Sequence, residues 1–388
     1  MSDPKKFILL GATGSIGEST LKVLRKHPDK LFLLGASAHS QTEKLSDITN
    51  EFKVPLAHLT KKPKDSTSFD PSTRLSHGED ALASLASHPE AEFVVVAIVG
   101  AAGLRPTLAA LEAGKDVVLA NKESLVVGGK LVTETALRSG ARIIPADSEH
   151  NAVFQCIADQ PHRSVDSIIL TASGGPFRDL TAEELKGVTL ESALQHPNWS
   201  MGPKVTIDSA TMANKGLELI EAHWLFGIPP SKLEVVIHPP SIIHAVVRFI
   251  DGCCLAQLSP PSMTFAMQNA LLHPHRFPGV EPSLDFAQPL DLTFHPPPLD
   301  RFPCLRHAMD ALKQGGSAPL VFNAANEVAV EAFRLNRIGF LQIPHIIEEV
   351  MNNIDHSQPN TLDELLSMDR NVRQLSHEYI RSSSFASS

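Results

Sequence analysis

No apolar run in the 388-residue chain approaches the roughly 18 residues needed to span a bilayer. A membrane-crossing helix is therefore not expected. Basic charge is also short: 34 Lys and Arg against 43 Asp and Glu leave a formal charge of −9. That balance removes the global field that holds nucleic acid. The local basic residues Lys61, Lys62 and Lys64 read as solvated loop. Cysteine is limited to Cys156, Cys253, Cys254 and Cys304, without CxxC spacing. The adjacent pair does not suggest a simple bridge, so free thiols in a reducing cytosol are expected. No repeat of solenoid period is present. The first buried run begins by Phe7, which leaves no room for a signal or transit peptide before it. The expectation is a cytoplasmic protein with neither a nucleic-acid nor a membrane partner.

What is present is a globular composition, 43% hydrophobic and 20% charged, over a length that suits two or three domains. Phe7–Leu10 runs into Gly11-Ala12-Thr13-Gly14-Ser15-Ile16-Gly17, then a helical pattern through Leu21, Val23 and Leu24, then a second apolar run at Leu31–Gly35. Strand, glycine turn, helix and strand in that order open a dinucleotide-binding unit. Phe93–Val99, Asp116–Ala120 and Ala141–Pro145 read as further buried parallel strands, with a helix over Leu104–Ala113. Beyond residue 147 the pattern changes to strands at Ser167–Thr171 and Leu233–His238, with a hairpin across Asp251-Gly252. Pro274–Pro303 is dense in proline and reads as an ordered linker. From Cys304 the periodicity is helical. The expected fold class is α/β: an N-terminal Rossmann-like doubly wound parallel sheet (1–147) and a central α/β catalytic domain (148–273) with a flap at 196–203. A linker (274–303) and a C-terminal helical bundle (304–388) follow.

Several clusters carry chemistry, each with a plainer reading beside it. The GxxGxxG turn offers backbone amides to a pyrophosphate, although glycine turns also serve packing. The second strand ends in Ser37-Ala38-His39-Ser40 without the carboxylate that a ribose 2′-hydroxyl would call for, which favours NADP over NAD. Asn121-Lys122-Glu123 follows a buried strand, where ligand contact and simple helix capping stand level. Asp147-Ser148-Glu149 places two carboxylates on one side if locally extended. With Glu218 they form an oxygen-only set suited to Mg²⁺ or Mn²⁺, against the plainer reading of a surface acidic pair. Asn214, Lys215, Glu218 and Glu221 share one helix face, with Leu217, Ile220 and Trp224 on an apolar stripe. Ser173-Gly174-Gly175 is a turn with amides suited to an anion, and Ser209 stands either in a phosphate cradle or as a helix cap. His196–Pro203 is a proline-bounded loop holding Trp199, either a lid or a core-anchored loop. His223, His238 and His244 sit in apolar patterns and read as core histidines.

Taken together, these blocks resemble the 1-deoxy-D-xylulose 5-phosphate reductoisomerase family. The resemblance lies in Gly11–Gly17, Ala120–Val126, Pro145–Val153, Thr171–Arg178, His196–Glu221, Val235–His244 and Asn323–Phe333. It implies NADPH and a divalent cation (Mg²⁺ or Mn²⁺, with Co²⁺ a further option), a sugar-phosphate substrate, a homodimer and a role in the non-mevalonate route to isoprenoid precursors. It further implies Asp147, Glu149 and Glu218 as metal ligands, and Ser173, Ser209, Asn214 and Lys215 around the substrate phosphate, with His196 beside them. Lys122 and Ser148 are implied as substrate contacts. Thr13, Gly14, Ser15, Ile16, Asn121, Glu123 and Gly202 are implied around the cofactor, and Trp199 and Met201 in the flap. Two departures stand out: His39-Ser40-Gln41 replaces a Gly-basic-Asn run, and Pro240 stands where Gln is usual. Two other readings share parts of this pattern: a metal-independent NADP-linked semialdehyde or sugar dehydrogenase, and a non-catalytic NADP-binding sensor.

Overall fold

The computed structural model describes residues 3–62 and 69–382; Lys64 and the tail beyond 382 lie outside the described residues. The chain forms two compact units. The first comprises Met1–Ser124, Val132–Asn151 and Ser262–Leu284; the second comprises Leu125–Leu131, Ala152–Pro261 and Asp285–Ser388.

In the first unit, β1 (Lys5–Leu10) is buried from Phe7 onward and turns through Gly11 into α1 (Ser15–Lys26). There follow β2 (Leu31–Ala38), α2 (Thr42–Phe52), β3 (Leu56–Leu59), β4 (Arg74–His77) and α3 (Glu79–Ala86). Next come β5 (Phe93–Val96), α4 (Leu104–Glu112), β6 (Asp116–Leu119), α5 (Lys122–Ser139), β7 (Ile143–Pro145) and α6 (Ser148–Cys156). The seven strands lie in the order β4-β3-β2-β1-β5-β6-β7, and every pairing is parallel. The strand order reverses between β1 and β5, and crevices outside the carboxyl ends at such a switch point are where ligands bind in these sheets. Buried apolar runs such as Val94-Val95-Val96 and Val117-Val118-Leu119 follow from a sheet covered on both faces. Gly17 is required by close approach, since a Cβ there would stand 2.2 Å from the Ala12 carbonyl oxygen. Within α5 the helix breaks at Gly128 (φ −131, ψ 28), and residues 125–131 pack with the second unit.

The second unit is built on a four-stranded mixed sheet in the order β11-β10-β8-β9. Its first strand, β8 (Val165–Ala172), is followed by α7 (Leu190–Ala193), α8 (Pro203–Ala210) and α9 (Ala213–Phe226). β9 (Leu233–Ile237) then pairs parallel with β8, while β10 (Ile243–Phe249) and β11 (Cys254–Leu258) form the expected antiparallel hairpin. The chain next returns to the first unit in α10 (Met263–Leu272). There Lys22 faces Glu281 at 3.5 Å and the His27 ring meets Phe277 at 5.9 Å. The remainder is helical: α11 (Pro303–Gln314), α12 (Ala318–Arg334), α13 (Gln342–Asn352) and α14 (Leu362–Ser382). Nearly every residue of α12 is buried, making it the central helix of this part.

Two expectations about organisation need correction. Residues 262–284 belong with the nucleotide-type sheet, because α10 packs against α1, so the boundary expected near 273 does not hold as a packing boundary. The proline-rich stretch is likewise divided: 274–284 stays with the first unit, and His295 pairs with Ile237 at the edge of β9.

Candidate active site

In the first unit the singled-out residues gather at the carboxyl ends of the strands. Gly14 caps α1 without a side-chain hydrogen bond, and Gly14 and Ser15 are exposed, which leaves the first-turn amides available to an anion. Thr13 and Ile16 flank them, half-buried. The Gly11 amide donates to Ser37 Oγ at 3.1 Å, tying the turn to the end of β2. Lys44, which the sequence reading passed over, reaches from the first turn of α2 to the Thr13 carbonyl at 3.0 Å. Its signal was the lysine one helical turn past the strand end that lacks a carboxylate.

Asn121 and Glu123 are buried beyond β6. The Asn121 side chain accepts from the Ser124 amide at 3.1 Å and donates to Glu123 at 3.0 Å and to the carbonyls of Ile98 and Gly100. The capping reading is therefore present in full. Asp147 follows β7, and its Oδ2 lies 2.5 Å from the Lys122 ammonium, with both side chains largely buried. The extended reading of Asp147-Ser148-Glu149 is corrected: Ser148 and Glu149 open α6, the Asp147 carboxylate accepts from the Ser148 amide at 2.8 Å, and Ser148 Oγ donates to Glu149. Alternation across a strand thus does not decide where these carboxylates point.

In the second unit, β8 delivers the turn Ser173–Gly175. Gly175 has φ +70, and a Cβ on it would lie 2.6 Å from the Ser209 carbonyl oxygen, so glycine lets this turn press against the end of α8. His196 Nδ1 accepts from the amides of Asn198 at 3.2 Å and Trp199 at 2.9 Å. Its other nitrogen, Nε2, then carries the proton and donates to Ser173 Oγ at 2.9 Å. The Gly175 amide also donates to Ser173 Oγ, at 3.1 Å. With two donors already on that oxygen, the Ser173 hydroxyl proton is left to point outward to an acceptor. Burial, helped by the Arg178 guanidinium, lowers the His196 pKa to about 4, consistent with this neutral imidazole. Arg178 donates to the Ser173 carbonyl at 3.3 Å and was not singled out from sequence.

Ser209 lies near the end of α8 and does not cap α9, whose N-cap Met212 is left-handed (φ 61). Asn214 and Lys215 open α9, and both donate to Glu218 one turn later. Lys215 and Glu218 are buried, at 4% and 1% exposure, which marks them as an internal charged pair rather than a solvated face. Gly202 is the exposed N-cap of α8, Met201 is half-buried, and the Trp199 ring meets the His244 ring edge-on at 6.0 Å. The flap region is shorter by one residue than the loop read from sequence, because Pro203 already lies in α8. His238 and His244 are buried and hydrogen-bonded, as core histidines should be: His238 Nδ1 meets the Thr293 carbonyl at 2.8 Å, and burial lowers the His244 pKa to about 4. His223 is half-buried and bonded to the Ile228 carbonyl at 2.8 Å.

Three family models match: 1-deoxy-D-xylulose 5-phosphate reductoisomerase over residues 7–129, its C-terminal domain over 143–226, and a further DXP reductoisomerase C-terminal domain over 258–375. The chain is 48% identical to the 1-deoxy-D-xylulose 5-phosphate reductoisomerase of Chlorobium chlorochromatii, covering 96% of this chain and 98% of that one. It is 47% identical to that of Ralstonia pickettii, covering 97% of each. Among solved structures, DOX-P reductoisomerase in complex with NADPH, fosmidomycin and magnesium aligns with a TM-score of 0.89 and 38% identity, over 97% of this chain and 98% of that one. The Zymomonas mobilis enzyme in complex with NADPH aligns with a TM-score of 0.89 and 39% identity, over 98% of this chain and all of that one. A parallel doubly wound sheet, a serine–glycine turn and a buried Lys–Glu pair thus occur in a chain that matches these relatives along nearly its whole length: it belongs to the 1-deoxy-D-xylulose 5-phosphate reductoisomerase family.

Proposed function

We infer that this protein converts 1-deoxy-D-xylulose 5-phosphate to 2-C-methyl-D-erythritol 4-phosphate, using NADPH and a divalent cation, in the non-mevalonate supply of isoprenoid precursors. The carrying observation is the buried Glu218, held by Lys215 and Asn214 on the helix that follows Ser209. A charged group of this kind is kept out of water only at a cost, and a site that handles cations and phosphates uses it. The residues suit both the cofactor and the cation. The uncapped first turn of α1 and the cramped Gly17 suit a pyrophosphate. Asp147, Glu149 and Glu218 offer only oxygen donors, as Mg²⁺ and Mn²⁺ prefer, and the Lys122 ammonium beside Asp147 supports a site that draws positive charge. When bound, the cation supplies Lewis-acid polarisation and a template, and NADPH supplies hydride.

The chain's own residues do the rest. Thr13, Gly14, Ser15 and Ile16 present the amides and small side chains that hold the cofactor phosphates, while Asn121, Glu123 and Gly202 complete that site. Lys44 brings a cation to the strand end where His39-Ser40-Gln41 stands and supports recognition of the 2′-phosphate. Ser173, Ser209, Asn214 and Lys215 hold the substrate phosphate: the hydroxyls and the amide give direction, and the ammonium gives charge. His196 orients the Ser173 hydroxyl and, being neutral, needs no proton of its own to do so. Lys122 and Ser148 meet the substrate beside the carboxylates. The flap with Trp199 and Met201 excludes water, and binding energy from the remote phosphate helps to order it. On this reading residues 1–147 form the NADPH-binding domain, which also carries Lys122 and Asp147, and most of the catalytic groups follow it.

We also propose a cytoplasmic homodimer. Four free cysteines fit a reducing compartment. No described helix is long and apolar enough to cross a membrane. At the edge strand β11, exposed Leu255 and nearby Ile250 suit contact with a second copy. Light scattering at the mass of two chains is the expected result.

The test is the loss of NADPH absorbance with 1-deoxy-D-xylulose 5-phosphate and Mg²⁺, repeated with EDTA. Turnover that requires the substrate and is abolished by chelation is expected. Turnover indifferent to EDTA would instead favour the metal-independent dehydrogenase.

A further inference from the structure

Beneath the phosphate-binding residues lies a second charged pair that the reaction does not use. Lys204 and Asp208 stand one turn apart on α8, with Nζ and Oδ2 2.8 Å apart and side chains 15% and 1% exposed. The other oxygen of Asp208 accepts from Asn326 Nδ2 at 2.9 Å, and Asn326, on α12, is itself fully buried. Two charges and an amide are thus taken out of water where apolar side chains would fill the same space without a desolvation cost. Their place in the chain explains what such a link can do. Lys204 is the second residue of α8, directly after the flap, and Asp208 immediately precedes Ser209.

The flap therefore has two differently built ends. At His196 it is held by the hydrogen bond to Ser173. At Gly202 it passes into α8, the end of which is pressed by the Gly175 turn and the side of which is tied to α12. A helix that only packs through Ile207 and Ala210 can slide or rotate by a fraction of a turn, whereas a buried directional link permits one register. We propose that Asp208, with Lys204 and Asn326, is a positioning residue that fixes the register of α8 and so sets Ser209 and the far end of the flap around the substrate phosphate. This inference rests on the assignment of Ser209 and the flap made above.

The decisive variant is Lys204→Met combined with Asp208→Leu, which removes the charges together and leaves no lone buried ion. Exchanges of this kind are often neutral or stabilising in the thermal midpoint. The expected result is an unchanged or higher midpoint and unaltered NADPH affinity. The KM for 1-deoxy-D-xylulose 5-phosphate should rise at least about tenfold, because small misplacements of binding groups are costly. The preference for that substrate over unphosphorylated 1-deoxy-D-xylulose should fall with it. Asn326→Leu, which removes only the tie to α12, should move the same ratio in the same direction and serves if the double variant does not fold. A KM and a phosphate preference equal to wild type in a folded variant would overturn the proposal. So would a rise in NADPH dissociation constant equal to the rise in KM, which marks general loosening. Lack of turnover in the wild-type protein would count against the functional reading itself, whereas active variants indistinguishable from active wild type count only against the tie.

Discussion

The two units present charge-handling groups in opposite ways. In the first, the turn after β1 offers backbone: exposed first-turn amides, a Gly17 that tolerates no Cβ, and few side chains of its own. In the second, charged and polar side chains are held by other side chains, with Glu218 gripped by Asn214 and Lys215, and Ser173 oriented by His196. A pyrophosphate is met well by a geometry that any sequence with the right glycines can adopt. A small phosphorylated ketose needs individual donors at set positions, and those must be locked by neighbours. Backbone sites are accordingly sensitive to added volume, and side-chain sites to lost charge.

That contrast can be broken at several points. Glu218→Gln should lower kcat by about 100-fold or more, since groups that only support a metal ligand already cost roughly 10–100-fold, while NADPH titration by fluorescence stays as in wild type. A parallel loss of NADPH binding would show that the two sites are not separately built. Acid should then test one buried histidine from each unit, His58 against Ser76 in the first and His244 against Ser259 in the second. Burial lowers both pKa values to about 4. The unfolded chain takes up these protons near pH 6.5 and the folded chain only near 4. Stability should therefore be level above pH 6.5, fall as pH drops from 6.5 to 4, and level again below. The loss is at most about 3 kcal/mol per histidine, read by urea unfolding at pH 7 and 4.5. His58→Gln and His244→Gln should each flatten part of that slope.

Gly17→Ala should weaken NADPH binding at least about tenfold and cost about 1–3 kcal/mol of stability, as overpacking does. Substrate-side variants such as Ser173→Ala should instead raise the KM for the sugar phosphate and spare the cofactor. Lys44→Ala should reduce the preference for NADPH over NADH by roughly tenfold, the worth of one charge-assisted hydrogen bond, measured from the two dissociation constants. The smallest effect is expected at Arg248→Gln. Its partner Glu234 is as exposed as itself, so the denaturation midpoint should not move measurably.

Much of this was legible in the sequence where the signal was local and repeated. The glycine turn follows an apolar strand, and the spacing of Asn214, Lys215 and Glu218 on one helix face needs no tertiary knowledge. The second half of the parallel sheet, with Val94-Val95-Val96 and Val117-Val118, was equally plain. By contrast β4 reads Arg-Leu-Ser-His with exposed ends; at the sheet edge nothing forces an apolar run. α8 was hidden because Pro203 looks like a loop boundary, yet proline is welcome at the first helical position. Asp147-Ser148-Glu149 is ambiguous because β7 spans only three residues and the helix begins at the next polar step. Lys44 and Asp208 were missed for a different reason. Each gains its full meaning from a partner 31 or 118 residues away, and although the lysine after a carboxylate-free strand end is a local hint at Lys44, local spacing carries no trace of the Asp208 link.

The return of α10 to α1 sets an order of assembly during synthesis. Because residues 262–284 close the surface over α1, the first unit stays incomplete while much of the second is being translated, although its sheet is already whole. A polypeptide stopped after β11 would carry the whole parallel sheet yet leave the α1 residues that meet α10 bare, a surface inviting chaperones or aggregation. The first unit made is therefore not the first one finished, and neither can be cut out as a single continuous fragment.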